Sequence, residues 1–315
     1  MCVKSRLIMR KLWTSSAGNE QSNSSQPTFL PRAVIDQLVK APPIWEVRDR
    51  ELLKDAYSFV YYNSPHGDLA AHFFVPHGHD PETATAPMIT FFHGGLWDTS
   101  LPTQFVPHCL HFATRGALAA TVQYRVKNNE DTSPIEALED AVMMMGFLKT
   151  NAHLLGINPE QIVLGGAGSG GHLALACATL PEIAGLPASE FRPAAAIGFS
   201  PIVDTTRRGV GSERFANDKE AKAHSPAACI SKDLPPLAIF HAHLDRVVPF
   251  KQVSKFVKRY RRKKNRIEFV DFVGAGHTFF NYNSHQQNFE ITIRSSDHFL
   301  TELGILEPDP LAGEF

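Results

Sequence analysis

The chain has 315 residues, 43% apolar and 20% charged, with a net charge of −1; it can bury a large core as one big domain or two small ones. So near neutrality there is no overall field to attract nucleic acid or an anionic membrane. No apolar run approaches the ~20 residues needed to span a bilayer, so neither partner is expected. The four cysteines, Cys2, Cys109, Cys177 and Cys229, include no C-x-x-C pair, which speaks against a disulfide framework or a zinc site. Cys177, inside LALACATL, reads as a small buried hydrophobe.

Residues 1–28 are basic and rich in Ser, Asn and Gln. Their apolar piece LIM is too short for a secretory signal, so the segment reads as a disordered tail or an alternative start, with a cytoplasmic location expected. Within 29–315, YSFVYYN (57–63) and LAAHFFVP (69–76) predict two strands joined by SPHGD as an antiparallel hairpin. PMITFFHGG (87–95) is a buried strand ending in glycines, followed by a helix over 103–116 and a strand over 117–126. SPIEALEDAVMMMGFLKTNAHLLG (133–156) is the clearest helix. Ser133 and Glu136 form a capping box, Pro134 takes the first helical position and Gly156 closes it.

A strand over 161–166, a helix from about 170, and a strand over 194–200 come next. Residues 203–230 are polar and are the candidate for a small cap or lid. A strand at 236–242, a helix at 250–262, a strand at 266–272 and a final helix near 286–303 complete the chain. Alternating strands and helices led by a hairpin predict an α/β fold with a mostly parallel sheet covered on both faces.

In such a sheet the site forms beyond the carboxyl ends of the strands. Polar motifs collect there: HGGLW (93–97), the turn GGAGSGG (165–171), HLDRVVP (243–249) and GAGHTFFNY (274–282). A strained strand–turn–helix elbow, then Asp245, then His277 is the chain order of an α/β-hydrolase triad. His277 would move the nucleophile's proton, Asp245 would hold the imidazole, and the amides of Gly94 and Gly95 would face an oxyanion.

These motifs resemble the α/β-hydrolase family, in particular its acetyl esterase, carboxylesterase and hormone-sensitive-lipase-like branch. FFHGGLW, QYRV, INPEQIVLGGAGSGGHLALA, HLDRVVPF and GAGHTFFNY stand in the family's order between about residues 57 and 305. The resemblance implies hydrolysis of short acyl esters without a cofactor, on small-molecule substrates such as acetylated sugars. Leu96 and Thr278 stand where relatives often carry glycine.

The nucleophile departs further. Relatives read G-[DG]-S-A-G-G-H-L-A; counting forward six from Ile162 and back four from His172 both give Gly168. Two readings stay open. Either the turn slides by one residue and Ser169 completes a triad with Asp245 and His277, or the nucleophile is absent and the fold binds a ligand or partner in the old pocket. A weaker third reading has His277 and Asp245 activate water directly, in the space left by Gly168.

Other signals read more plainly. Ser200 is a turn serine before Pro201 and a remote substitute nucleophile; Asp204 is a fallback acid. VKRYRRKKNR (257–266), with seven basic residues in ten, is read as a solvated helix face. His72, His77, His79 and Asp80, like the pair His108 and His111, lack a closing ligand set, so no metal is expected. His172 reads as a packing residue.

Overall fold

The computed structural model describes residues 30–309 apart from Pro31, Pro43 and Trp45. The tail at 1–28, predicted to be disordered, lies outside the described residues. Eight strands form one sheet: β1 (Tyr57–Ser64), β2 (Gly67–Phe74), β3 (Ala86–Phe92), β4 (Leu118–Val122), β5 (Ile157–Ala167), β6 (Ala195–Phe199), β7 (Leu237–Ala242) and β8 (Ile267–Phe272). Their order is β1-β2-β4-β3-β5-β6-β7-β8. β1 with β2 and β2 with β4 are antiparallel, and every other pairing is parallel. This is the α/β-hydrolase fold, with its antiparallel hairpin leading.

β4, β6 and β7 are buried along their whole length, as strands with helices on both faces must be. The principal helices are α1 (Val106–Thr114), α2 (Pro134–Thr150), α3 (Gly168–Thr179), α4 (Phe250–Arg262) and α5 (Gln286–Glu302). All of α3 is buried, which its run of Gly, Ala and Leu permits. The Ser133–Glu136 capping box and Pro134 start α2. The helix ends at Thr150, not Gly156: Asn151 donates its side-chain Nδ2 to the Phe147 carbonyl, 2.8 Å away, and a separate turn, Ala152–Leu155, closes at Gly156 with φ +62°. Residues 203–230 carry one short helix, Asp218–Ala223, and two 3-10 turns, Ser212–Arg214 and Pro226–Ala228.

The strand order places the site. The chain runs from β3 to β4 on one side and then returns past β3 to β5 on the other. That reversal opens a crevice between the carboxyl ends of β3 and β5, where α/β folds bind ligands. The two glycine-rich turns leave the sheet there.

Candidate active site

The elbow between β5 and α3 is fixed by steric contact. A side chain at Gly166 would meet the Gly170 carbonyl carbon at 2.4 Å, and one at Gly170 would meet the carbonyl oxygens of Phe92 and His93 at 2.1 and 2.2 Å. These two glycines are therefore obligatory, and the residue midway between them is Gly168. It has φ +51°, in the left-handed region. A Cβ there would lie 3.4 Å from His277 Nε2, with no closer neighbour.

Ser169 is oriented differently. It is fully buried, and its hydroxyl lies 3.1 Å from the Tyr124 hydroxyl. Tyr124 spends its own proton on the His93 carbonyl, 2.9 Å away, so the shared proton between the two hydroxyls comes from Ser169. The pairing of Ser169 with His277 that a slid elbow requires is not formed. Burial pushes the Tyr124 phenol well up, so it stays neutral.

Asp245 and His277 meet. Asp245, in the turn after β7, receives His277 Nδ1–H at 2.8 Å on Oδ2 and the amides of Val247 and Val248 at 2.8 Å each on Oδ1. Burial pushes this carboxyl up, but the His277 bond and charge and the two amides outweigh it and hold the group below its ordinary value. The Asp245 side chain is fully buried, while that of His277 keeps 25% exposure: the acid is sealed and the imidazole faces the crevice. Ser200, read from the sequence as a turn serine and a remote substitute nucleophile, has φ +44° and donates its hydroxyl to the His277 carbonyl at 3.0 Å. It supports the histidine loop, a role that residue spacing alone does not reveal.

The oxyanion loop requires a correction. The Gly94 amide, expected to face an oxyanion, instead donates to Gln104 Oε1 at 2.7 Å; Gln104 in turn donates to Asn281 at 3.2 Å. Among the described residues, the amides of Gly95 and Leu96 make no hydrogen bond. Ser169, second in α3, has an amide without an intrahelical acceptor. Gly95, Leu96 and Ser169 thus each keep an amide that a ligand oxygen in the crevice could take. Gly95, Leu96 and Trp97 all have positive φ, at +124°, +55° and +60°, so two non-glycine residues carry local strain here. Trp97, 1% exposed, anchors the turn edge-on against His172 and Phe215. Arg214, in the 203–230 segment, pairs with Asp98. The segment thus packs over the oxyanion loop.

The remaining candidates are occupied elsewhere. Asp204 caps its own turn through the Thr206 amide, His172 donates to the His224 carbonyl, and His111 pairs with Asp297. Among the described residues no group of three or more His, Cys, Asp or Glu side chains could hold a metal. Sequence reading also missed the buried Arg125–Asp140 pair, 2.7 Å apart, which fixes the chain just after Tyr124.

A family model named BD-FAE matches residues 74–260, more than half of the chain. The chain belongs to the BD-FAE family. It is 27% identical over 218 residues to the probable carboxylic ester hydrolase LipM of Mycobacterium tuberculosis, covering 62% of this chain and 50% of LipM. It spans about half the length of the curated relatives LipM and LipC. Among solved structures it is similar to native esterase 2 of Thermogutta terrifontis, with 32% identity, TM-score 0.77, and coverage of 82% of this chain and 96% of that one. Two further structures of that esterase, one phosphorylated by paraoxon and one with propionate bound, match at 33% and 32% identity, each with a TM-score of 0.75 and coverage of 82% of this chain and 97% of that one. This family member thus shares its fold with esterases. No helix among the described residues is long and apolar enough to cross a membrane.

Proposed function

We propose that the crevice binds a short-chain carboxylic ester, or the acid derived from it, and forms no acyl-enzyme. The observation that carries this is Gly168: the elbow position facing His277 Nε2 has no side chain, and the neighbouring hydroxyl of Ser169 is committed to Tyr124. The free amides of Gly95, Leu96 and Ser169 suit a carbonyl or carboxylate oxygen. The similarity to an esterase solved with propionate bound supports short acyl groups as the ligand class; an acetylated sugar is one alcohol half that would fit it. A Ser-Asp-His mechanism would need the Ser169 hydroxyl to leave Tyr124 and the elbow to shift against the contacts of Gly166 and Gly170.

A second reading draws on the intact Asp245–His277 pair. With no nucleophile, His277 acts as general base on a water in the space beside Gly168, and the ester is cleaved in one displacement. Calorimetric titration with propionate, fluorophosphonate labelling and a short-ester assay test both. Binding without labelling is expected, and any turnover should be burst-free and lost in His277→Ala. Labelling at Ser169, with activity abolished in Ser169→Ala, would overturn the proposal and restore the triad.

A further inference from the structure

The net charge of −1 conceals a strong local asymmetry on α4. Lys251, Lys255, Lys258 and Arg262 fall at i, i+4, i+7 and i+11, which places them within an arc of about 60° on the helix. All four are exposed. The opposite side, with Val253, Phe256, Val257 and Tyr260, is buried against the fold. Among the described residues none of these four cations has an ion-pair partner. They form a stripe of uncompensated charge about 16 Å long.

A second observation indicates what meets this stripe. Leu244 and Val273 are 61% and 83% exposed, among the most exposed large apolar residues of the protein. Both sit at the amino end of α4. Leu244 donates its amide to the Ala275 carbonyl, and His243 donates to that of Phe272, so the loops after β7 and β8 are tied together. The His243 ring also stacks on Phe250, the first residue of α4, at 4.0 Å between centroids. Asp245 follows Leu244, and His277 lies four residues beyond Val273, so this corner is also the rim of the candidate active site.

We infer that this corner is a docking surface for an anionic lipid bilayer, with the cationic stripe of α4 on the headgroups and Leu244 and Val273 inserted among them. A nucleic acid or acidic polysaccharide would match the charge but leave the two aliphatic side chains unused. A membrane interface uses both features. The expectation of no membrane partner rested on net charge, which averages the stripe away, and on the lack of a spanning apolar run, which surface docking does not need. The inference does not depend on whether the site is catalytic.

Co-sedimentation of the full chain with phosphatidylcholine vesicles, with and without phosphatidylglycerol, tests it. Binding is expected only with phosphatidylglycerol and should weaken as salt rises. The triple variant Lys251→Glu, Lys255→Glu, Lys258→Glu should lose it, at about fivefold per lysine removed. Leu244→Ser with Val273→Ser should lower it by roughly tenfold while leaving the charge intact. All five positions are exposed, and circular dichroism confirms folding of each variant. No preference for phosphatidylglycerol, or binding untouched by the charge reversal, overturns the inference. Charge-dependent binding that is indifferent to the serine pair, and matched on heparin at equal salt, overturns it in favour of a soluble polyanion.

Discussion

Gly168 faces the His277 ring: a Cβ on the glycine would lie 3.4 Å from the imidazole Nε2, its nearest neighbour. That is ordinary contact, so a small side chain fits. Gly168→Ser is therefore expected to fold, at a cost of about 1–2 kcal/mol for a non-glycine residue in the left-handed region. It should place a hydroxyl on His277 and raise short-ester turnover by at least about a hundredfold over the parent. Fluorophosphonate labelling should appear at residue 168 in the variant alone. A folded but unlabelled, inactive Gly168→Ser would show that the rest of the machinery is not competent.

Ser169→Ala removes the hydroxyl bonded to Tyr124 and leaves Tyr124 its bond to His93. The expected cost is about 1 kcal/mol of stability, with no change in whatever turnover the parent shows. A denaturant midpoint and an initial-rate assay read the two effects separately.

Alanine at 168 and at 170 should behave in opposite ways. Gly168→Ala meets only the His277 ring, whereas Gly170→Ala drives a methyl to 2.1 Å from the Phe92 carbonyl oxygen. The first is expected to express in soluble form, losing only the same ~1–2 kcal/mol for a non-glycine residue in the left-handed region. The second should lose more than about 3 kcal/mol and accumulate as insoluble protein. Equal solubility of the two would refute the steric account of the elbow.

Much of this arrangement is legible in the residues. Strand ends could be placed because Gly and Pro punctuate the apolar runs, and counting from Ile162 and from His172 both reach Gly168. The capping box of α2 follows from local spacing alone. The contacts that decide the site's chemistry are not local. Which way Ser169 turns depends on Tyr124, two residues past β4, and the loss of Gly94 as a donor depends on Gln104 reaching back from the turn before α1. Such pairings arise only when separate strand ends pack together. No periodicity records them.

The fold should be acid-labile. Burial lowers His72, His93, His172 and His241 to about 4 and His108 to about 3. Below pH 6.5 the unfolded chain takes up these protons and the folded chain does not, so stability falls with pH. Each histidine contributes about 1.4 kcal/mol per pH unit in that range, and the five together on the order of 10 kcal/mol between pH 7 and pH 5. Asp140, raised to about 6 by burial, acts with the opposite sign, one group against five. Thermal melts should show a midpoint dropping steeply below pH 6.5; a flat midpoint from pH 7 to pH 5 would count against this.

His108 can be isolated. Neither ring nitrogen has a hydrogen-bond partner, and the ring is enclosed by Phe91, Phe105, Phe199 and Phe289 at centroid distances of 5.7, 4.8, 5.2 and 4.9 Å. His108→Leu removes two unsatisfied polar atoms at similar volume. It should raise stability by about 1–2 kcal/mol at pH 7 and by more at pH 5. A variant less stable than the parent at both values would indicate a polar partner for His108.

The two obligatory glycines of the elbow carry a wider consequence. Gly166 and Gly170 are held by the crowding of a strand end, a helix start and the neighbouring Phe92 and His93 carbonyls, whatever stands between them. A spaced glycine pair at such a turn therefore reports how closely three backbones cross. It is a signature of architecture, and reactivity has to be read from the single residue it encloses.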